Sequence, residues 1–482
     1  MTTLDISNEL SFVEFSNVIN GKLQNTTVTR HSLNPSTLEK NPPVPVSKQE
    51  DVEDAVQAAK AAAESWATVP YKQRQEAVAR FADGLESLKD RFAIMLTREQ
   101  GKPLQVAKAE LDISVRFLRG YAQLSEVDVV IEENNGRRVI SRYPPLGVAV
   151  GIVPWNFPVY QAIAKLGPAI IAGNAFILKP SPFTPYCNLK LAELGIDYFP
   201  PGIFQALSGD DDLGPRLTIH PGVDKVSFTG SEANGKRVMM SCATTLKRVT
   251  LELGGNDPAI VYGDVDVKTV ARKLARSALL NSGQVCIAIK RIYIHESIYD
   301  DLLKELVIEV NKLTVGDGLG HSTALGPVQN KLQFEKVKGL LADIESRKLH
   351  LAAGSTQPSM VGKGYFITPT IVDDPPEDSR IVVEEPFGPV FPVLKWNDEE
   401  EVIRRANDSP MGLGASIWTS DIQRAEQIAT KLKAGAVWIN THHELQPNTP
   451  FGGHKQSGLG VEHGLEGIRS YCNTQVVYVP SA

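Results

Sequence analysis

Four short stretches hold the residue types that could do chemistry together. Asn281-Ser282-Gly283-Gln284-Val285-Cys286 sets a cysteine behind Asn, Ser, Gly and Gln. In apolar company a cysteine acts as a small hydrophobe. Here a polar, bendable loop can surround the sulfur with backbone N–H groups and amides, the access and polarity that a reactive thiolate needs. Its partners have to come from elsewhere in the chain. Glu252-Leu253-Gly254-Gly255 puts a carboxylate after an apolar run and before two glycines that let the backbone bend or approach a ligand closely. Pro154-Trp155-Asn156-Phe157-Pro158 offers an amide in an aromatic turn. Phe228-Thr229-Gly230-Ser231 reads as a helix start, whose free N–H groups suit a phosphate as well as a simple cap.

Composition narrows what such a site could serve. The 482 residues are 42% hydrophobic and 22% charged, which fits a soluble globular chain of about three domains. A net charge of −6 with no long basic run speaks against nucleic acid as a partner. There is no run of roughly 18 apolar residues and no leader pattern at the N-terminus, so the expectation is a cytoplasmic protein with no membrane partner. Cys187, Cys242, Cys286 and Cys472 are far apart without a CxxC pair, and no HExxH occurs, so neither a disulfide framework nor a metal site is expected. The adjacent His442-His443 reads as surface or pocket lining.

The elements that must position these groups are legible from periodicity. Val18 to Lys22 offers an Asn-Gly hairpin, and Asn41 to Pro45 a proline-rich link. From Ser47, apolar residues at helical spacing (Val52, Ala55, Val56, Ala59, Ala62, Ala63, Trp66) follow acidic Glu50-Asp51, and two more helices are expected over about 72–90 and 103–124. A strand pair around Glu132 to Tyr143 turns at Asn134-Asn135-Gly136. Alone it is marginal, so it is expected to pair with another chain, and the strand-like tail from Ser470 to Val479 could join it. Between Leu146 and Tyr262 short apolar runs alternate with helical stretches: Val148–Val153, Ala175–Leu178, Ile203–Leu207, Lys225–Phe228, Val249–Leu251 and Ala259–Val261. That rhythm implies a parallel sheet covered on both faces, with ligands at the carboxyl ends of its strands. After Gly255 it resumes with helix 265–281, strand Arg291–His295, helix 298–312 and further units to Gly435–Asn440, which predicts a second α/β domain.

These segments, with Lys179-Pro180, Glu385-Pro386-Phe387-Gly388-Pro389-Val390 and Pro450-Phe451-Gly452-Gly453, occur in the order found in the aldehyde dehydrogenase superfamily, which the sequence resembles from about residue 15 to 479. The resemblance implies an α/β fold of two Rossmann-like domains plus a small β ribbon for oligomerisation. Residues 1–124 and 146–254 would bind the dinucleotide, 255–454 would form the catalytic domain, and 125–145 with 466–482 would make the oligomerisation strands. It further implies Cys286 as nucleophile, Asn156 and the Cys286 N–H as oxyanion donors, and Glu252 as general base for thioester hydrolysis. Lys165 and Glu462 match positions that relay protons from that base. Because relatives that acylate coenzyme A lack the base, hydrolysis to the free acid is expected.

No GxGxxG follows any strand, so the NAD or NADP site also rests on the resemblance. It implies Lys179 and Glu385 at the ribose hydroxyls, Trp155 and Phe387 beside the nicotinamide, and Phe228, Gly230 and Ser231 toward pyrophosphate and adenine. Val153, Pro154, Ser181, Pro182, Gly209 and Leu253 complete the cofactor set. Three positions depart from the family's pattern. Pro182 stands where NAD-preferring relatives carry a glutamate, Asp211 replaces a second glycine after Gly209, and Asn256 replaces a lysine. NADP therefore stays open beside a slight preference for NAD. The aldehyde pocket would be lined by Phe157, Tyr160, Gln161, Ala164, Leu445 and Phe451. With Ala164 where semialdehyde enzymes place an arginine, the expected substrate is an apolar or aromatic aldehyde. The expected assembly is a homodimer or homotetramer. The competing readings are a thiol esterase or acyl-transferring dehydrogenase, and a non-catalytic dinucleotide-binding or structural protein on the same fold.

Overall fold

Strands buried along their whole length, with Val, Ile and Phe at successive positions, can pack only where both faces of a sheet are covered. The computed structural model, which describes residues 10–134, 136–357, 359 and 361–480, arranges most of its apolar runs in this way. Five strands, Val148–Ile152, Ala175–Lys179, Phe204–Ala206, Lys225–Thr229 and Arg248–Glu252, are mutually parallel and form the centre of an eight-stranded sheet. One edge is closed by the Asn17–Ile19 and Lys22–Gln24 hairpin, whose turn residues Asn20 and Gly21 both have positive φ, as the Asn-Gly pair demands. The other edge is closed by Gly458–Leu459, which runs antiparallel to Arg248–Glu252. No sequence pattern announces that two-residue strand.

The sixth expected run does not continue this sheet. At Leu253–Asn256 the chain leaves the first sheet, and Asp257–Val261 becomes a central strand of a second, seven-stranded sheet, parallel to Ile289–His295 on one side and Gly414–Trp418 on the other. The residues between the sheets are therefore hinge-like in position and carry Glu252 on one flank.

Among the described residues the N-terminal helices number four rather than three: Gln49–Trp66, Tyr71–Ser87, Lys89–Gln100 and Leu104–Tyr121. The unexpected one, Lys89–Gln100, ends at Gly101 with φ +94, a left-handed cap that the run of charged residues around it masked. The ribbon consists of Val129–Glu133 and Arg137–Arg142, with Gln475–Pro480 paired antiparallel to the latter. Asn135 of its turn, residues 1–9 and residues 481–482 lie outside the described residues. Among the described residues no helix is long and apolar enough to cross a membrane.

Candidate active site

The cysteine loop is held in an expensive conformation. Asn281, Ser282 and Gly283 are consecutive left-handed residues, at φ +51, +56 and +73. For Asn and Ser this costs on the order of 1–2 kcal/mol each, and the surroundings supply the compensation. Ser282 Oγ donates to Gly326 O at 2.8 Å, Gln284 Nε2 to Asn281 O at 2.9 Å, and Gln284 Oε1 accepts from Gln329 N at 2.9 Å. At Gly283 a Cβ would overlap the Gly388 carbonyl oxygen, so glycine is required there on two counts.

The loop delivers Cys286 Sγ to 3.1 Å from Glu252 Oε1, at the end of strand Arg248–Glu252. The glycines after Glu252 make this approach possible. A Cβ on Gly255 would lie 2.5 Å from Cys286 O, and one on Gly254 2.6 Å from Glu385 Oε2. Burial raises the pKa of Glu252, and the nearby Glu462 charge adds to the effect against the pull of Lys165. Burial and the Glu252 carboxylate likewise hold the Cys286 thiol well above its usual range. The sulfur therefore keeps its proton, with the acceptor for that proton already in contact.

Asn156 is fixed through both its backbone and its side chain. Its carbonyl accepts from Lys102 Nζ at 2.8 Å and Asn281 Nδ2 at 3.2 Å, and its Nδ2 donates to Gln284 O at 2.9 Å. Among the described residues, neither the second Nδ2 hydrogen nor the Cys286 N–H has an acceptor, so two donors stand ready beside the sulfur. Lys102 is itself paired with Glu110 at 2.5 Å, both fully buried, and Glu110 caps the helix Pro158–Ala172 by accepting from Val159 N and Tyr160 N at 2.9 and 3.1 Å. This buttress was not anticipated from sequence.

On its other oxygen Glu252 accepts from Thr229 Oγ1 at 3.0 Å and Gln161 Nε2 at 3.1 Å. Thr229 Oγ1 lies 2.7 Å from Lys165 Nζ, which reaches Glu462 Oε1 at 2.5 Å. Lys165 and Glu462 thus stand one hydroxyl away from Glu252 in an unbroken row of polar atoms. Burial works against ionising Glu462, but Lys165, His463 and Ser227 outweigh it and hold the carboxyl below its ordinary value. Thr229, seen from sequence as part of a helix start, is the bridge in this row. Gln161, expected in the pocket, spends its amide on the carboxylate.

Beside the sulfur lies a cavity of about 110 Å³, lined among others by Phe157, Tyr160, Leu445, Phe451, Ile113 and His463. Ala164 is absent from this wall. It is buried at 2% exposure one helical turn beyond Tyr160, which does line the cavity.

The expected cofactor residues gather at the rim of the first sheet. Trp155 meets Phe387 edge to face at 5.3 Å, and Phe387 sits at φ +48. Val153 N is bonded to Lys179 O at 3.2 Å, and Leu253 N to Ser457 O at 2.8 Å. Lys179 is buried; among the described residues it has no carboxylate in contact and donates only to Pro180 O at 3.2 Å, and burial brings its pKa down to about 8. An ammonium so poorly partnered fits a ligand's hydroxyls. Glu385 Oε1 takes Gly255 N at 3.1 Å and Lys290 at 3.2 Å, which leaves its other oxygen for a ligand. Ser231 caps helix Glu232–Ala243 beside Gly230 and Phe228. Ser181 caps its own turn at Phe183 N, next to Pro182, and Gly209 O is 3.4 Å from the Arg30 guanidinium, which pairs with Asp210 at 2.7 Å. Asn256, in place of a lysine, donates to Val382 O at 2.8 Å and accepts on its carbonyl from the buried Arg291 at 3.0 Å.

The aldehyde dehydrogenase family model matches residues 23–477. The chain belongs to the aldehyde dehydrogenase family. The "putative aldehyde dehydrogenase FUS7" of Gibberella moniliformis is 41% identical over 471 residues, covering 98% of this chain and 100% of that protein. The phenylacetaldehyde dehydrogenase of Pseudomonas fluorescens is 37% identical, covering 94% and 92%. Among solved structures, the NAD+ complex of the Bacillus cereus aldehyde dehydrogenase superposes with a TM-score of 0.94 at 34% identity, with both chains fully covered. The protein is an aldehyde-oxidising, NAD(P)-dependent enzyme of this fold, acting on a small-molecule substrate. That excludes the purely structural reading.

Proposed function

We propose that this aldehyde dehydrogenase oxidises an apolar or aromatic aldehyde to its carboxylic acid through a covalent intermediate on Cys286. The Cys286 thiol gives its proton to Glu252 Oε1, and the sulfur attacks the carbonyl carbon to form a thiohemiacetal. Asn156 Nδ2 and the Cys286 N–H hold the oxyanion, both in place before substrate arrives. A bound nicotinamide supplies the hydride acceptor, and the Cys286 thioester is left. Once Glu252 has passed on the thiol's proton it takes one from the attacking water, and returns that proton to the sulfur as the acid leaves. Thr229, Lys165 and Glu462 offer the path by which the base returns its proton toward solvent. The observation that carries this reading is the 3.1 Å contact between Cys286 Sγ and Glu252 Oε1.

The substrate class follows from the cavity wall. Apolar side chains dominate it, and its volume of about 110 Å³ is on the scale of the ~150 Å³ apolar cavity that admits benzene. The phenylacetaldehyde relative supports the same choice. NAD is the favoured cofactor, because Asp211 lies close enough to Lys179 to act on its charge and Asp210 occupies Arg30, which leaves a 2′-phosphate facing acids. Residues 10–124 and 146–254 serve the dinucleotide, 255–454 carry the thiol, and the ribbon, with Val130, Ile131 and Tyr478 exposed, joins copies of the chain into a dimer or tetramer. Following NAD(P)H release over aliphatic, aromatic and charged aldehydes with both cofactors tests the reading. Fastest turnover of a charged aldehyde would refute the substrate class, and stimulation by coenzyme A would refute hydrolysis.

A further inference from the structure

Beside the cavity two tyrosine hydroxyls share one imidazole. Tyr121 Oη lies 2.6 Å from His463 Nδ1, and Tyr160 Oη 3.0 Å from His463 Nε2. His463 sits at φ +61, packed by Phe117 at a ring separation of 5.0 Å. Burial brings its pKa down to about 4, so at neutral pH the ring carries a single N–H and one bare nitrogen.

Tyr121 decides which nitrogen bears the hydrogen. Its side chain is fully buried, and among the described residues its hydroxyl has no polar neighbour other than Nδ1. Were Nδ1 protonated, the buried Tyr121 O–H would have nowhere to donate, and an unmet buried donor is costly. The hydroxyl therefore donates to a bare Nδ1, and Nε2–H donates to the Tyr160 oxygen. Among the described residues Tyr160's own hydrogen is then without an acceptor, on a side chain that lines the cavity. The oxygen of the reacting carbonyl already has its two donors in Asn156 and the Cys286 N–H.

We propose that Tyr160 presents a hydrogen-bond donor to the body of the bound aldehyde, with Tyr121 and His463 as positioning residues. The preferred substrates carry an acceptor oxygen, such as an ether or carbonyl, away from the reacting carbon. This rests on the apolar-pocket reading and sharpens it. The cavity also has Phe157, Leu445, Phe451 and Ile113 in its wall beside polar groups such as Arg116 and His443, and a substrate lacking the acceptor leaves the Tyr160 hydroxyl unpaired.

The test compares kcat/KM for methoxy- and ethyl-phenylacetaldehydes, which match in shape, substituted at the meta and para positions. The native enzyme is expected to favour a methoxy compound by about three- to tenfold. Tyr160→Phe should bring the ratio near one. Tyr121→Phe touches neither substrate nor sulfur, yet it frees the imidazole to accept from Tyr160, and should lower the ratio part-way. Thermal melts check that both variants fold. Good turnover of all compounds with ratios near one in the native enzyme would overturn the proposal alone, as would a ratio unchanged in Tyr160→Phe. Failure to oxidise any of these aldehydes while a charged one reacts would overturn it together with the apolar-pocket reading.

Discussion

Replacing Glu252 by Gln changes two atoms' chemistry and almost none of their geometry. The amide oxygen can still accept from Cys286 Sγ, where the carboxylate sits at 3.1 Å. The amide nitrogen falls where Oε2 now accepts from Gln161 and Thr229. Rotating the Thr229 hydroxyl toward Gln161 Oε1, 3.1 Å away, lets its oxygen accept from the new amide, and the one remaining mismatch at Gln161 Nε2 is local, so the fold should survive. Proton acceptance at this position is lost. General-base assistance contributes about 10²–10⁴ in rate, or roughly 3–5 kcal/mol of barrier. Steady turnover should fall by that factor. Because Glu252 also takes the thiol's proton, the rate of the NADH burst should fall along with steady turnover, and the acyl adduct on Cys286 should build up correspondingly slowly. Stopped-flow absorbance of NADH with intact-protein mass spectrometry reads both quantities. The native pH profile should rise through a carboxylate pKa lifted above its usual range, and the variant should lack that limb. Native steady turnover in the variant would refute the assignment of Glu252 as base.

Asn156→Ala removes one oxyanion donor and should cost about 10²–10³ in kcat with little change in cofactor affinity, as measured by steady-state kinetics and NADH fluorescence. Lys165→Met strands the buried Glu462 carboxylate that Lys165 holds at 2.5 Å. Urea denaturation should show a loss of about 3–5 kcal/mol, and steady turnover should slow more than the burst. Stability should also decline as pH falls from 6.5 toward 4. His463 and His443 are brought down from 6.5 to about 4 by burial, so the unfolded chain binds their protons first. For His463 alone the loss is on the order of 3 kcal/mol, and a flat profile in pH-dependent urea melts would contradict it.

What was legible in the sequence tracks the range of the interaction. Strands such as Ala175–Lys179 announce themselves because every residue is buried and apolar, and the peculiar residues after each run mark the rim. The boundary at Leu253–Asn256 was less clear, since a strand bound for a second sheet looks like the sixth member of the first. The pairing of Cys286 with Glu252 could be named only through family likeness, because nothing local to either residue points to the other. Thr229, Lys102 with Glu110, and Tyr121 with His463 escaped notice for the same reason. Each matters through a partner far along the chain, and each has an ordinary local explanation. Ala164 shows the opposite limit, since a motif gives the face a small residue takes but not how far along the helix the cavity extends.

The short strand Gly458–Leu459 lies against Arg248–Glu252 and is followed at once by Glu462 and His463. During translation the thiol and its carboxylate leave the ribosome well before these residues do. Until they emerge, the nascent chain has a frayed sheet edge and a lysine without its counter-ion. Enzymatic competence thus waits on residues translated long after the thiol, and a ribosome stalled before them would hold an inert product.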